Sequence, residues 1–267
     1  MKPGRPSPRT LPPESTALLL DIGNTHCHVG LATPDTLVEH TDLPTPSLIR
    51  RPDSPALRRF LATRPIQAVV LCSVVPKATR ALLPWLRSRL RLKPLVLTAR
   101  TVRGIGIDYP SPETIGPDRL ANALAVHDAF GAPSVVVDFG TAVTFDIVDA
   151  SARYVGGIIA PGLAAMTDYL HEKTALLPRI RIRDVASPIG RSTEEAMLIG
   201  AVHGYRGLVR ELIRELRHSL GVRRLPVVAT GGYADLIARD VTDITTVRPH
   251  LTLEGLRLHW LQSQLAS

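Results

Sequence analysis

One short pattern occurs twice in this chain of 267 residues, once in each half, and it restricts the fold more than any other feature. Residues 17–25 read ALLLDIGNT and residues 134–142 read SVVVDFGTA. In each, an apolar β-forming run ends in Asp, then come one apolar residue, Gly and a small polar residue. An Asp at the end of a buried strand can hold a metal ion or a water. The Gly beside it lets the backbone turn sharply and approach a phosphate with no Cβ in the way. Two such loops predict two related domains closing on one polyphosphate.

The segments flanking the two loops repeat as well. Ala17–Ile22, His28–Ala32 and Leu37–Thr41 read as strands, the last two joined at Thr33-Pro34-Asp35. Ser134–Asp138, Ala142–Asp149 and Tyr154–Ile159 repeat that order, with a turn near Ala150–Arg153. A strand, a Gly turn and a hairpin in both halves imply internal pseudo-symmetry. Ile66–Val75 and Leu95–Thr98 read as further strands, Ala78–Leu90 as a helix, and Thr114–Phe130 as a helix stopped by Gly131. The longest helix is predicted over Glu194–Leu220, where Leu198, Val202, Tyr205, Val209, Leu212, Leu216 and Leu220 make an apolar stripe. A strand at Pro226–Thr230, a short helix at Tyr233–Arg239 and a closing helix from Leu253 complete the chain. The boundary between domains is expected near Phe130–Ser134, giving domains at 17–132 and 133–267 behind a tail at 1–16.

That tail, with five prolines and one leucine, reads as mobile, and it lacks the apolar stretch of a secretory signal. No run approaches the ~18–20 apolar residues that span a bilayer. Cys27 and Cys72 have neither metal-ligand spacing nor a disulfide framework around them, which points to a reduced, cytoplasmic enzyme. A net charge of +8 raises the question of nucleic acid. The basic residues are scattered, however, and four Phe, two Trp and five Tyr offer few stacking platforms. Both observations argue against nucleic acid as the main partner.

Four segments carry candidate chemistry. In Asp21-Ile22-Gly23-Asn24-Thr25 the amides around Gly23 and the side chains of Asn24 and Thr25 suit phosphate oxygens, and Asp21 suits Mg²⁺ held through water. A strand-ending Asp-Gly turn is common on its own; the second copy, Asp138-Phe139-Gly140-Thr141, favours the functional reading. Gly116-Pro117-Asp118-Arg119 opens a helix, where an Asp often serves only as a cap. With Arg119 beside it, Asp118 also suits a substrate carrying both an alcohol and a carboxylate, and Tyr109 lies close enough in sequence to line that pocket. The third segment, VVATGGY at 227–233, ends a strand in bare backbone that suits an adenosine. Gly156-Gly157 with Pro161-Gly162 marks further close-approach points. His26 and His28 share one face of a strand while Cys27 takes the other, so the three do not converge on zinc. The signatures of serine hydrolases, P-loop proteins and Rossmann folds are missing from the sequence.

Together these segments resemble the type III pantothenate kinases, of the acetate and sugar kinase/actin-like superfamily. The likeness rests on DIGNT at 21–25, CSVVP at 72–76, GPDR at 116–119, VDFGTAVTFDIV at 137–148, YVGGIIAPG at 154–162 and ATGGYA at 229–234. It implies an α/β fold of two actin-like (ribonuclease H-like) domains related by internal duplication, with the active-site cleft between them. It implies ATP-dependent phosphorylation of pantothenate to 4′-phosphopantothenate, the first step of coenzyme A biosynthesis. By the same resemblance Asp118 is the proton acceptor, and Tyr109, Gly116, Pro117, Asp118 and Arg119 bind pantothenate. Asp21, Ile22, Gly23, Asn24, Thr25, His26, Cys27 and His28 form the main ATP loop, joined by Thr141. Asp138 holds a monovalent cation, K⁺ or NH₄⁺, and Thr193 reaches the substrate across a homodimer. The dimer is expected to be held in part by the Glu194–Leu220 helix. His26 departs from the family pattern, in which Asn or a basic residue is common, and the Pro-rich tail lies outside it. Two other readings are a non-catalytic actin-like transcriptional accessory protein and a sugar kinase of the same superfamily. Intact Asp118 and Asp138 weigh against the first, and GPDR, through the resemblance, against the second.

Overall fold

A computed structural model describes residues 11–62 and 65–265. The chain forms two compact units, one running to Ala125 and resuming at Leu251, the other spanning Val126–His250. Residues 1–10 of the expected tail lie outside the described residues. The rest of that tail is built into the first unit: Ser15 is buried, its N–H donates to Pro12 O, and Thr16 O accepts from Gln67 N.

The first unit holds β1 (Ala17–Ile22), β2 (His26–Ala32), β3 (Leu37–Pro44), β4 (Ala68–Ser73) and β5 (Leu95–Val96), in sheet order β3-β2-β1-β4-β5. β1 pairs antiparallel with β2 and parallel with β4. Alternation along the strands sorts the side chains. Leu18, Leu20, Ile22, Cys27, Val29, Val69 and Leu71 join one cluster with Leu48, Leu57, Leu61, Ala78, Leu82 and Leu86. The last six belong to α1 (Thr45–Arg50), α2 (Pro55–Leu61) and α3 (Pro76–Leu90). Each of these helices carries Pro in its first turn, where the missing N–H costs nothing, and Ser54 caps α2 by accepting from Leu57 N at 3.2 Å. The short β6 (Gly106–Ile107) precedes α4 (Pro117–Phe130), whose last residues pass into the second unit.

The second unit holds β7 (Ser134–Phe139), β8 (Ala142–Val148), β9 (Arg153–Pro161), β10 (Val227–Thr230) and β11 (Thr246–Val247). These five run β11-β10-β7-β8-β9, with β7–β8 and β8–β9 antiparallel and β7–β10 parallel. The topology of the first sheet is thus repeated strand for strand. Its helices are α5 (Leu163–Lys173), α6 (Thr193–Ser219) and α7 (Ala234–Ala238). Buried Arg206 of α6 pairs with Asp184 at 3.1 Å and with Asp240 at 2.7 Å, tying the segment after α5 to the rest of the unit.

Two expectations are corrected by this architecture. The closing helix, α8 (Leu251–Leu265), packs on β1, β2, β3 and β4 and belongs to the first unit, so one cut near Phe130–Ser134 does not divide the chain. The sheet face opposite α1–α3 needs an apolar cover, and Leu251, Leu253, Leu256 and Trp260 supply it. Gly255 lets α8 meet α4, because a Cβ there would lie 2.1 Å from Ala121 O. The stripe on α6 faces its own unit: Tyr205, Val209, Ile213 and Leu216 pack into the core with Phe139, Phe145 and Ile237. A continuous apolar stripe on a long helix is what one sheet face needs for burial. Glu at Val209 or Leu216 would disrupt that core and could not report on a dimer interface.

Candidate active site

β1, the central strand, delivers Asp21 near its C-terminal end on the face opposite the α1–α3 cluster. In register, Asp21 lies between His28 of β2 and Cys72 of β4. It is 9% exposed, and Cys72 Sγ lies 3.3 Å from its Oδ1 as a donor. Burial first, then the carboxylates of Asp21 and Asp118, push the Cys72 thiol well up, so it remains protonated and able to donate.

Beyond Asp21 the chain turns through Gly23-Asn24-Thr25 into β2. Gly23 N–H donates to His26 O at 3.0 Å, closing the turn. Asn24, Thr25, His26 and His28 are exposed, whereas Ile22 and Cys27 point into the core. The last two can therefore meet a ligand only through backbone. The alternation places His26 and His28 on one face and Cys27 on the other. His28 Nδ1 bonds to Asp42 Oδ1 at 2.6 Å on β3.

At the start of α4, Gly116 O accepts from Arg119 N at 3.0 Å. The Asp118 carboxylate folds back to accept from Arg119 N at 2.9 Å. Gly116 makes room for it, since a Cβ there would lie 2.5 Å from Asp118 Oδ1. Burial raises the Asp118 carboxyl above the usual carboxylate range, against the opposing pull of Arg119's N–H and charge. Gly116, Pro117 and Arg119 are half-buried, and Tyr109 lies exposed on the preceding loop.

The second unit repeats the loop with different chemistry. Asp138, half-buried at the end of β7, lies in register with Thr144 and Thr230. Gly140 N–H donates to Ala142 O, and Thr141 is exposed at the tip. Two glycines press on this loop. At Gly162 a Cβ would lie 2.3 Å from Thr141 O; at Gly231, where φ is +88°, it would lie 2.6 Å from Asp138 Oδ1. Gly231-Gly232-Tyr233 joins β10 to α7, and near it lies a cavity of about 540 Å³ lined by Thr167, Asp168, Arg179, Arg181 and Tyr233. Thr193 is exposed at the first position of α6, after Ser192, whose Oγ accepts from Glu195 N at 3.2 Å. Among the described residues no three His, Cys, Asp or Glu side chains converge as metal ligands.

Sequence reasoning passed over Thr45 and gave Cys72 no role. For Cys72 the available signal was its register with Asp21 on adjacent parallel strands. For Thr45 it was the match of Pro44-Thr45 to Pro161-Gly162 after the third strand of each half.

A sheet of order 3-2-1-4-5, built twice and ending its first strand each time in Asp-x-Gly, defines an actin-like fold of the sugar-kinase type. A candidate Baf family transcriptional activator from Campylobacter jejuni superposes with a TM-score of 0.57 at 19% identity, covering 92% of this chain and 98% of that one. Lmo2764, a candidate N-acetylmannosamine kinase from Listeria monocytogenes, does so at 0.50 and 12% identity, covering 93% and 99%. At such identities the likeness is one of fold. Within that class the chain belongs to the type III pantothenate kinase family, whose sequence profile matches residues 17–215. A type III pantothenate kinase of Akkermansia muciniphila is 48% identical over 245 residues, 91% of this chain and 97% of that protein.

Proposed function

We propose that the protein transfers the terminal phosphoryl group of ATP to the primary hydroxyl of pantothenate, giving 4′-phosphopantothenate on the way to coenzyme A. Beside family membership, the observation that carries this reading is Asp118, a half-buried carboxylate next to a guanidinium at a helix start. Asp118 orients the hydroxyl and accepts its proton, and its raised pKa makes it a better acceptor than an ordinary carboxylate. Arg119 pairs with the carboxylate of pantothenate. Gly116, Pro117 and Tyr109 complete that subsite.

Phosphoryl transfer asks a protein chiefly to position the reactants and to stabilise charge. The Asp21–His28 loop offers backbone amides and the Asn24 and Thr25 side chains to the phosphates. Thr141 adds a hydroxyl from the second loop. Gly231–Tyr233 and its neighbouring cavity take the adenosine. Asp21 would hold Mg²⁺ through water, in keeping with that ion's preference for phosphate and water oxygens over a cage of protein side chains. Asp138 and the carbonyls of its loop are hard oxygen donors of the kind K⁺ or NH₄⁺ accepts. Both ions neutralise phosphate charge.

The working unit is a homodimer, with Thr193 reaching the neighbour's substrate. Apolar side chains at Tyr169, Leu176 and Ile189, 61%, 91% and 74% exposed, support an interface around α5 and the segment leading to Thr193. No described helix is long and apolar enough to cross a membrane, and a cytoplasmic enzyme is the setting we propose. The test is ATP turnover with pantothenate against a panel of sugars. Turnover with pantothenate alone supports the reading; turnover with a sugar alone overturns it.

A further inference from the structure

Thr45 is the first residue of α1 and is fully buried. Its Oγ1 donates to Gly23 O at 2.7 Å, and its backbone N–H donates to Thr25 O at 3.0 Å. One residue thus grips two carbonyls of the first Asp-x-Gly loop. In a trans peptide the C=O and the following N–H point in opposite directions. With Gly23 C=O tied to Thr45, the Asn24 N–H is turned away from α1, and Asn24 and Thr25 are exposed.

The second unit provides a comparison. Gly162 follows Pro161 as Thr45 follows Pro44, and its N–H donates to Thr141 O at 3.2 Å, as that of Thr45 does to Thr25 O. The loops differ in length. Residues 23–25 separate β1 from β2, whereas only 140 and 141 separate β7 from β8. The shorter loop lies so close that residue 162 has no room for a side chain. The longer one carries an extra peptide whose carbonyl needs a partner, and the Thr45 hydroxyl is that partner.

We infer that Thr45 is a positioning residue for nucleotide binding, its hydroxyl and N–H together fixing the Gly23–Thr25 loop so that the Asn24 amide faces the phosphates. This rests on the reading of that loop as a phosphate site. The experiment measures kcat, the KM of each substrate, the affinity for a non-hydrolysable ATP analogue and thermal stability for Thr45→Val, Thr45→Ser and Gly23→Ala. Loss of one neutral hydrogen bond predicts that Thr45→Val raises KM for ATP about tenfold while kcat and KM for pantothenate stay within about twofold. Thr45→Ser, which keeps the hydroxyl, restores wild-type KM. Should Thr45→Val not fold, Thr45→Ala is judged by the same criteria. Unchanged ATP affinity in Thr45→Val, with weakened binding in Gly23→Ala, overturns the inference and leaves the phosphate site standing. Unchanged affinity in all variants overturns both. A parallel loss of stability and of both affinities in Thr45→Val and Thr45→Ser overturns the inference as well, since the role is then merely structural.

Discussion

The two Asp-x-Gly loops sit at the same place in the same topology, yet opposite means hold them. In the first, a buried side chain reaches in: Thr45 binds the Gly23 carbonyl, and Cys72 donates to Asp21. In the second, side chains are withdrawn: Gly162 and Gly231 leave room for Thr141 and Asp138 to sit against bare backbone. The residues in register with the two aspartates differ accordingly, Cys72 and His28 around Asp21, Thr230 and Thr144 around Asp138. A duplicated frame keeps its strand order, because burial of two sheet faces demands it, while its loops are free to diverge toward separate tasks. We assign the first unit the proton acceptor and a divalent ion, and the second a monovalent ion and the adenosine.

The largest expected effect tests the placement of chemistry in the first unit. Asp118→Asn should lower kcat by ~10²–10⁴-fold, the usual contribution of general acid–base assistance, while a non-hydrolysable ATP analogue still binds. Near-wild-type turnover would break the assignment. The pH–rate profile sharpens it: since burial raises Asp118, the acid limb should lie above the ordinary carboxylate range. Next in size is cation dependence. Activity should be nearly lost in sodium-only buffer and restored by K⁺, and Asp138→Asn should abolish that response while Asp21→Asn should not. Equal rates in both buffers would leave Asp138 as a structural carboxylate.

Acid should also distinguish the units. His259 of α8 is 1% exposed, and neither ring nitrogen has a hydrogen-bond partner among the described residues. Burial, then the charge of Arg103, lowers its pKa from 6.5 to about 4. The unfolded chain takes up this proton below pH 6.5 while the folded one refuses it until about 4. Stability from this group is therefore full above the upper value and falls as pH drops through the window, by at most about 3 kcal/mol. Denaturation across that range should show the loss, and His259→Leu should flatten it; an unchanged acid limb would refute the role. The smallest effect concerns the glycines. Gly162→Ala drives a Cβ into backbone and should cost about 1–3 kcal/mol. Gly23→Ala, whose nearest contact is His26 O at 3.0 Å, should cost less. Equal costs by urea denaturation would mean that the loops are held alike.

Much of this comparison was legible in the sequence, and the omissions have physical causes. β1 runs over Ala17–Ile22 as read, because the apolar run Ala17–Leu20, preceded by polar Ser15-Thr16 and closed by Asp21-Ile22-Gly23, leaves little choice of register. The hairpins and α6 fall within a few residues of expectation for the same reason. α1 and α2 went unseen because prolines at 46 and 55 look like breakers, whereas in a first turn they start helices. α5 was missed since its small and polar residues after Gly162 carry little periodicity. The return of α8 to the first unit, and the inward face of α6, depend on which sheet lacks a cover. Those facts are tertiary, and periodicity records only that a face is apolar. The grip of Thr45 on Gly23 spans 22 residues and leaves no local pattern at all.

The proposal that both Asp-x-Gly loops bind ATP is tested most directly by amide hydrogen exchange with and without a non-hydrolysable ATP analogue. Added protection should appear in peptides covering Gly23–His26 and in those covering Gly140–Ala142. Protection confined to one of the two loops, or to neither, would contradict the claim.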